Sequence, residues 1–81
     1  MKEELIKIIR QNLSEIKEDE DIEQIENLCD YGLTSVVLIS MIINIEKAFN
    51  IEIKDEDLLF KNFLSVNTIM ETLKKYNITN L

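Results

Sequence analysis

The residues with the clearest chemical potential lie together at Tyr31-Gly32-Leu33-Thr34-Ser35, where a hydroxyl follows the chain's single glycine and opens an apolar-rich run. Few other groups in this sequence can drive a reaction. There is no histidine, which removes the commonest general base, the usual partner of a serine nucleophile and the commonest metal ligand. Hydrolase chemistry at Ser35 therefore has no base to run it. Cys29 is the single cysteine, so no internal disulfide can form, and one thiol without histidine cannot build a zinc site. Its structural reading, a small loop or core residue, outweighs a reactive thiol. The carboxylates from 17 to 26 lack the spacing of a calcium loop and read as a solvated acidic face. One glycine cannot make a phosphate-cradling loop, since both nucleotide-binding types need several at fixed offsets. The expectation is a protein that is not an enzyme, with no catalytic residue and no metal.

Positioning Ser35 falls to the flanking elements. From Lys2 to about Ile16, Leu5, Ile8, Ile9, Leu13 and Ile16 share one helical face, which predicts a first helix. The stretch from Lys17 to about Thr34 has Ile22, Ile25, Leu28, Tyr31 and Leu33 among carboxylates with no sustained period. It reads as a long ordered loop pinned to the core by those side chains, a length that in a compact domain suggests function or short turns of its own. A second helix runs from Ser35 through Phe49, with Thr34 as N-cap and Leu38, Met41, Ile42, Ile45, Ala48 and Phe49 facing inward. Ser40, Asn44 and Lys47 lie opposite. Val36, Val37, Ile39 and Ile43 fall near the edges of that polar strip, where a soluble helix ordinarily shows charge. They are either a contact surface for a partner or partly packed under the loop or the third helix.

Asn50 is a terminator, and Ile51-Glu52-Ile53 an extended link that sets two isoleucines on the core. Asp55 is then expected to cap a short third helix to about Phe60, and Ser65 a fourth with Val66, Ile69, Met70 and Leu73 at helical spacing. The tail 77–81 is expected to fray. The predicted fold class is all-α: a small four-helix bundle, three longer helices and one short third helix, with a long ordered loop between the first two. With 81 residues, 46% hydrophobic, one domain spanning 1–81 is expected. The absence of proline and tryptophan, and the lone glycine, agree with helices over a β-rich topology.

Sixteen acidic residues against nine basic ones give a net charge of −7, which opposes nucleic acid and favours basic-surfaced protein partners. Charges near the N-terminus interrupt any signal-peptide apolar region and no segment reaches bilayer-spanning length, so a cytoplasmic, non-membrane protein is expected, as a monomer.

Taken together, these blocks resemble the phosphopantetheine-dependent carrier family of acyl and peptidyl carriers, over nearly the whole chain. Gly32-Leu33-Thr34-Ser35-Val36 is similar to the family's Gly-x-Asp-Ser-Leu signature. Ile45 to Ile53 is similar to its pattern at the end of the second helix, with Phe49 and Ile53 in buried roles, and Asp55 to Leu58 and Phe63 to Val66 resemble its third helix and the start of its fourth. Four blocks in order are more specific than one serine. The resemblance implies that Ser35 carries 4′-phosphopantetheine, transferred from coenzyme A by a phosphopantetheinyl transferase, with an acyl or aminoacyl cargo held as a thioester on the arm. It also implies loading enzymes and downstream synthases or transferases as partners. A serine in the first helical turn suits this, because free amides and the positive dipole end favour an attached phosphodiester. In isolation Ser35 would read as an ordinary helix-start serine.

Thr34 stands where the family has Asp, and Val36 where it has Leu, so capping is kept while a carboxylate used in transferase recognition is lost. The second helix lacks the acidic display of fatty-acid carriers, so Thr34, Val36, Ile39, Ile43 and Glu46 are the candidate partner-binding residues. This favours a stand-alone carrier of a specialised pathway, such as aminoacyl or polyketide assembly, over a housekeeping fatty-acid carrier. A non-covalent acidic helical adaptor is the alternative from a different class.

Overall fold

The computed structural model describes residues 2–76 and 78 and is helical, with no strand among the described residues. Three α-helices form: α1 (Lys2–Asn12), α2 (Ser35–Phe49) and α3 (Val66–Leu73). Side chains from all three, and from the segments between them, meet in one apolar core in which α1 packs against α2 and α3. Leu5, Ile9, Met41, Ile45, Phe63, Val66 and Ile69 are fully buried there, so the helical faces drawn from spacing are the faces that lose water.

Two of the expected elements change. The first helix stops at Asn12 rather than near Ile16, with the Asn12 side-chain amide donating to the Ile8 carbonyl at 2.8 Å. A turn closed by Ile16 N–H on the Leu13 carbonyl then follows, and both residues are still buried. An i, i+3 pair meets the core equally well from a helix or from such a turn. The short third helix expected over 55–60 is replaced by two 3₁₀ turns, Asp55–Asp57 and Phe60–Asn62, separated by an extended Leu59. The expected Asp55 cap is also absent: Lys54 takes the cap position and makes no side-chain bond. Leu58, Leu59 and Phe60 all face solvent, so no apolar stripe directs this segment to coil as an α-helix. The bundle is therefore three α-helices with short 3₁₀ turns.

The remaining local expectations hold. Thr34 caps α2, and Asn50 ends it in the left-handed region at φ 54°. Ser65 caps α3 in a reciprocal box, its Oγ accepting from Thr68 N–H while Thr68 Oγ1 accepts from Ser65 N–H. Ile53 is buried and Ile51 partly so. The expected fraying of 77–81 lies outside the described residues except at Ile78, which is packed partly buried against the core.

The long acidic loop is ordered through two 3₁₀ turns, Ile22–Gln24 and Leu28–Tyr31, each started by a side chain that accepts from a backbone amide: Asp21 from Glu23 and Asn27 from Cys29. Ile22, Ile25, Leu28 and Leu33 are buried, as expected, while Cys29 is exposed. Arg10 of α1 binds the loop's backbone, donating to the carbonyls of Lys17 and Glu20 at 3.0 and 2.7 Å. Glu20 accepts from Lys17 N–H at 3.0 Å and from the Tyr31 hydroxyl at 2.7 Å. These bonds hold the Glu20 carboxyl below its ordinary value of 4.5, the Lys17 amide contributing most, and the bond to Glu20 pushes Tyr31 up.

Because folding lowers the Glu20 value, its stabilisation is complete above the unfolded value and disappears as pH falls through the folded one. Glu20→Gln should lower the thermal midpoint at neutral pH, and the gap from wild type should narrow as the pH falls below the ordinary value of 4.5. A gap of constant size across a calorimetric pH series would show that ionised Glu20 does not hold the loop.

Gly32 has φ 97°, where side-chain-bearing residues are strained, and an added Cβ would also run into the Glu15 carboxylate. Gly32→Ala should cost about 1–2 kcal/mol in urea unfolding, mostly from the backbone because the Glu15 side chain can swing aside.

Candidate functional site

Ser35 owes its place to events on both sides of it. The chain approaches through Leu28, whose amide donates to the Leu64 carbonyl at 2.7 Å and whose carbonyl accepts from Leu33 N–H at 3.2 Å. These bonds tie the end of the loop to the segment before α3. Gly32 then turns through the left-handed region, Leu33 drops into the core, and Thr34 and Ser35 emerge from it exposed.

Thr34 is extended at φ −119°, ψ 176°, its Oγ1 accepting from Val37 N–H at 3.4 Å and its carbonyl from Leu38 N–H at 2.8 Å. Ser35 is the first helical residue, its side chain in solvent and its hydroxyl unengaged among the described residues. The amides of Ser35 and Val36 come too early in the helix to find an intrahelical acceptor. No acidic residue lies in this first turn. A phosphodiester on Ser35 Oγ would meet free donors and the positive helix end with no neighbouring carboxylate of that turn to repel it, so the residues present fit the group.

The exposed side of α2 carries the apolar edge noted from spacing. Val36, Ile39 and Ile43 are 77%, 59% and 44% exposed, while Val37 packs partly against the core. Of the other reading, partial packing beneath the loop or the third helix, Val36 and Ile39 show little, while Ile43 is more than half covered. They begin one residue from Ser35 and run along a continuous side of α2 at i, i+3 and i+7. Ser40 beside them donates to Asn12 Oδ1 at 2.9 Å, a bond between α2 and α1 that spacing gave no means of finding. Glu46 sits farther along, half-buried, with Oε2 accepting from Ile53 N–H at 2.9 Å. That carboxylate anchors the link after α2.

Sequence reasoning missed a polar cluster at the other end of the bundle. Asp57, 7% exposed, lies at 2.5 Å from both Lys75 Nζ and the Tyr76 hydroxyl, and the latter also accepts from Lys54 N–H at 2.9 Å. The bond from Lys75, followed by that from Tyr76, holds the Asp57 carboxyl below the usual carboxylate range. A buried aspartate within an acidic run has no periodic signature, and its partners lie 18 and 19 residues away. Among the described residues there is no group of three or more His, Cys, Asp or Glu arranged to hold a metal, and no helix long and apolar enough to cross a membrane.

Comparison with curated proteins found no match. A family model described as phosphopantetheine attachment site matches residues 3–73, which takes in α1, the acidic loop, Ser35 with all of α2, and α3. Its members carry covalently attached 4′-phosphopantetheine, interact with phosphopantetheinyl transferases and partner enzymes, and are themselves non-catalytic. With the match covering most of the chain and the helix-start serine inside it, this chain belongs to the phosphopantetheine attachment site family and is a carrier rather than an enzyme.

Proposed function

We propose that Ser35 is the attachment residue and that the chain carries an acyl or aminoacyl intermediate on the arm, in a specialised biosynthetic pathway. The observation that carries this reading is an exposed serine opening α2, capped by Thr34 and free of carboxylates in its first turn, within the family match. Attachment forms the Ser35 Oγ–P bond as the pyrophosphate bond of coenzyme A breaks, with adenosine bisphosphate leaving and the serine proton passing to the transferase. When bound, the arm supplies the thiol that holds cargo as a thioester. The chain's own part is to hold Oγ in solvent, cap the helix behind it and leave Ser35 and Val36 N–H groups open to the phosphate.

Partner contact is assigned to Thr34, Val36, Ile39 and Ile43, which form one accessible strip beside Ser35. Burial of the three apolar members would supply affinity that the uncharged first turn of α2 does not. Glu46 joins them only through the part of its carboxylate not committed to Ile53. The apolar character of the strip supports a specialised pathway over the acidic display of fatty-acid carriers. The net charge of −7 still steers basic partners from a distance.

Incubation with coenzyme A and a broad-specificity transferase should add one phosphopantetheinyl group to the intact mass of the wild type and none to Ser35→Ala. An unmodified wild type, or equal modification of the alanine variant, would sink the assignment. Ile39→Ser should leave the thermal midpoint within a degree or so, since the side chain is exposed, yet lower kcat/KM of the loading reaction about tenfold, the effect of losing one well-buried interface side chain. Unchanged kcat/KM in the combined Val36→Ser, Ile39→Ser, Ile43→Ser variant would remove the strip from the transferase contact.

A further inference from the structure

The segment between the buried side chains of Ile53 and Phe63 is held in an unusual way. Its backbone bonds are local: Asp57 N–H to the Lys54 carbonyl, Leu58 to Asp55, Leu59 to Asp57, Asn62 to Leu59, and Phe63 to Phe60. The Asn62 side chain closes another local bond, on the Asp57 carbonyl at 2.9 Å. Among the described residues, the hydrogen bonds that reach from this segment to the rest of the fold end on Lys75 and Tyr76, just beyond α3. Apolar packing holds it only in part, since Leu58, Leu59 and Phe60 remain 38%, 45% and 39% exposed, although the second turn does touch α3. The second turn lies beside α3 across an open groove of 340 Å³ between Lys61 and Asn62 on one side and Asn67, Thr68 and Glu71 on the other.

We propose that residues 54–62 form a strap, latched by Asp57 to Lys75 and Tyr76, that opens and closes as one unit while the three-helix core stays folded. The geometry has the parts such a device needs: internal bonds that keep the segment together, fixed ends at Ile53 and Phe63, and outward hydrogen bonds gathered at one aspartate and one tyrosine. Tyr76 takes part in two of the latching bonds, donating to Asp57 Oδ2 and accepting from Lys54 N–H. Releasing it frees both bonds together. Opening would move Leu58, Leu59 and Phe60 relative to the fixed apolar edge of α2, so the surface offered to a protein partner changes shape at the cost of the apolar area these three still cover. The strap rests on its own bonds and not on the assignment of Ser35, so loading assays and the experiment below fail independently.

Native-state hydrogen exchange, read by mass spectrometry on the full chain, tests this. Tyr76→Phe and Asp57→Asn should each raise the exchange rates of amides 57–63 at least tenfold after correction for intrinsic rates, with those of α1 and α2 within twofold of wild type. Acceleration spread evenly over α1, α2 and α3 would make the cluster part of the global fold and overturn the proposal. So would unchanged exchange in both variants, or loss of folding in both. If Asp57→Asn alone fails to fold, the exchange pattern of Tyr76→Phe decides by the same criteria.

Discussion

The fold has to bring one serine out of the core within two residues of a buried leucine and start a helix on it. Leu33 and Leu38 are both buried, yet Thr34 and Ser35 between them are in solvent. The chain manages this by turning at Gly32 in a conformation that side chains resist, then extending through Thr34 before the helix begins. Much of the remaining architecture serves that turn. Leu28 fixes the loop to Leu64, and Arg10, Glu20 and Tyr31 fix its earlier part to α1, so Ser35 is displayed from a held support although it belongs to an exposed stretch.

The same helix meets two demands that usually conflict. Leu38, Met41, Ile45 and Phe49 give α2 a core face strong enough to anchor it, while Val36, Ile39 and Ile43 leave apolar surface in water. Exposed aliphatic side chains at helical spacing gain little for the isolated fold, and their place beside Ser35 fits the partner contact proposed for them. Acidity is concentrated in the loop and around Asp55 and Glu56, and the first turn of α2 has no acidic residue.

The connection after α2 follows a different logic. Beyond the buried ends at Ile53 and Phe63, its hydrogen bonds to the bundle centre on Asp57, whose carboxylate is bound by a cation and a phenol. Hydrogen bonds gathered at one point can be released together, which is the property the proposed strap relies on.

Periodicity and local chemistry determined a great deal by themselves. The inward faces of α1, α2 and α3, the caps at Thr34 and Ser65, the Asn50 stop and the position of Ser35 at a helix start all follow from interactions between residues within four or so of one another, which a linear sequence displays directly. The absence of histidine, and the single cysteine, were equally readable. Spacing could not tell whether Leu13 and Ile16 meet the core from a helix or a turn, because three-residue separation satisfies both. Nor could it see that the expected short helix at 55–60 would form two 3₁₀ turns, since the deciding partners, Lys75 and Tyr76, are far along the chain. The exposure of Val36, Ile39 and Ile43 was likewise left open by spacing and decided by where the neighbouring segments pack. Contacts distant in sequence have no period and no local signature, so the tertiary structure alone decided which polar groups meet and which apolar ones remain in water.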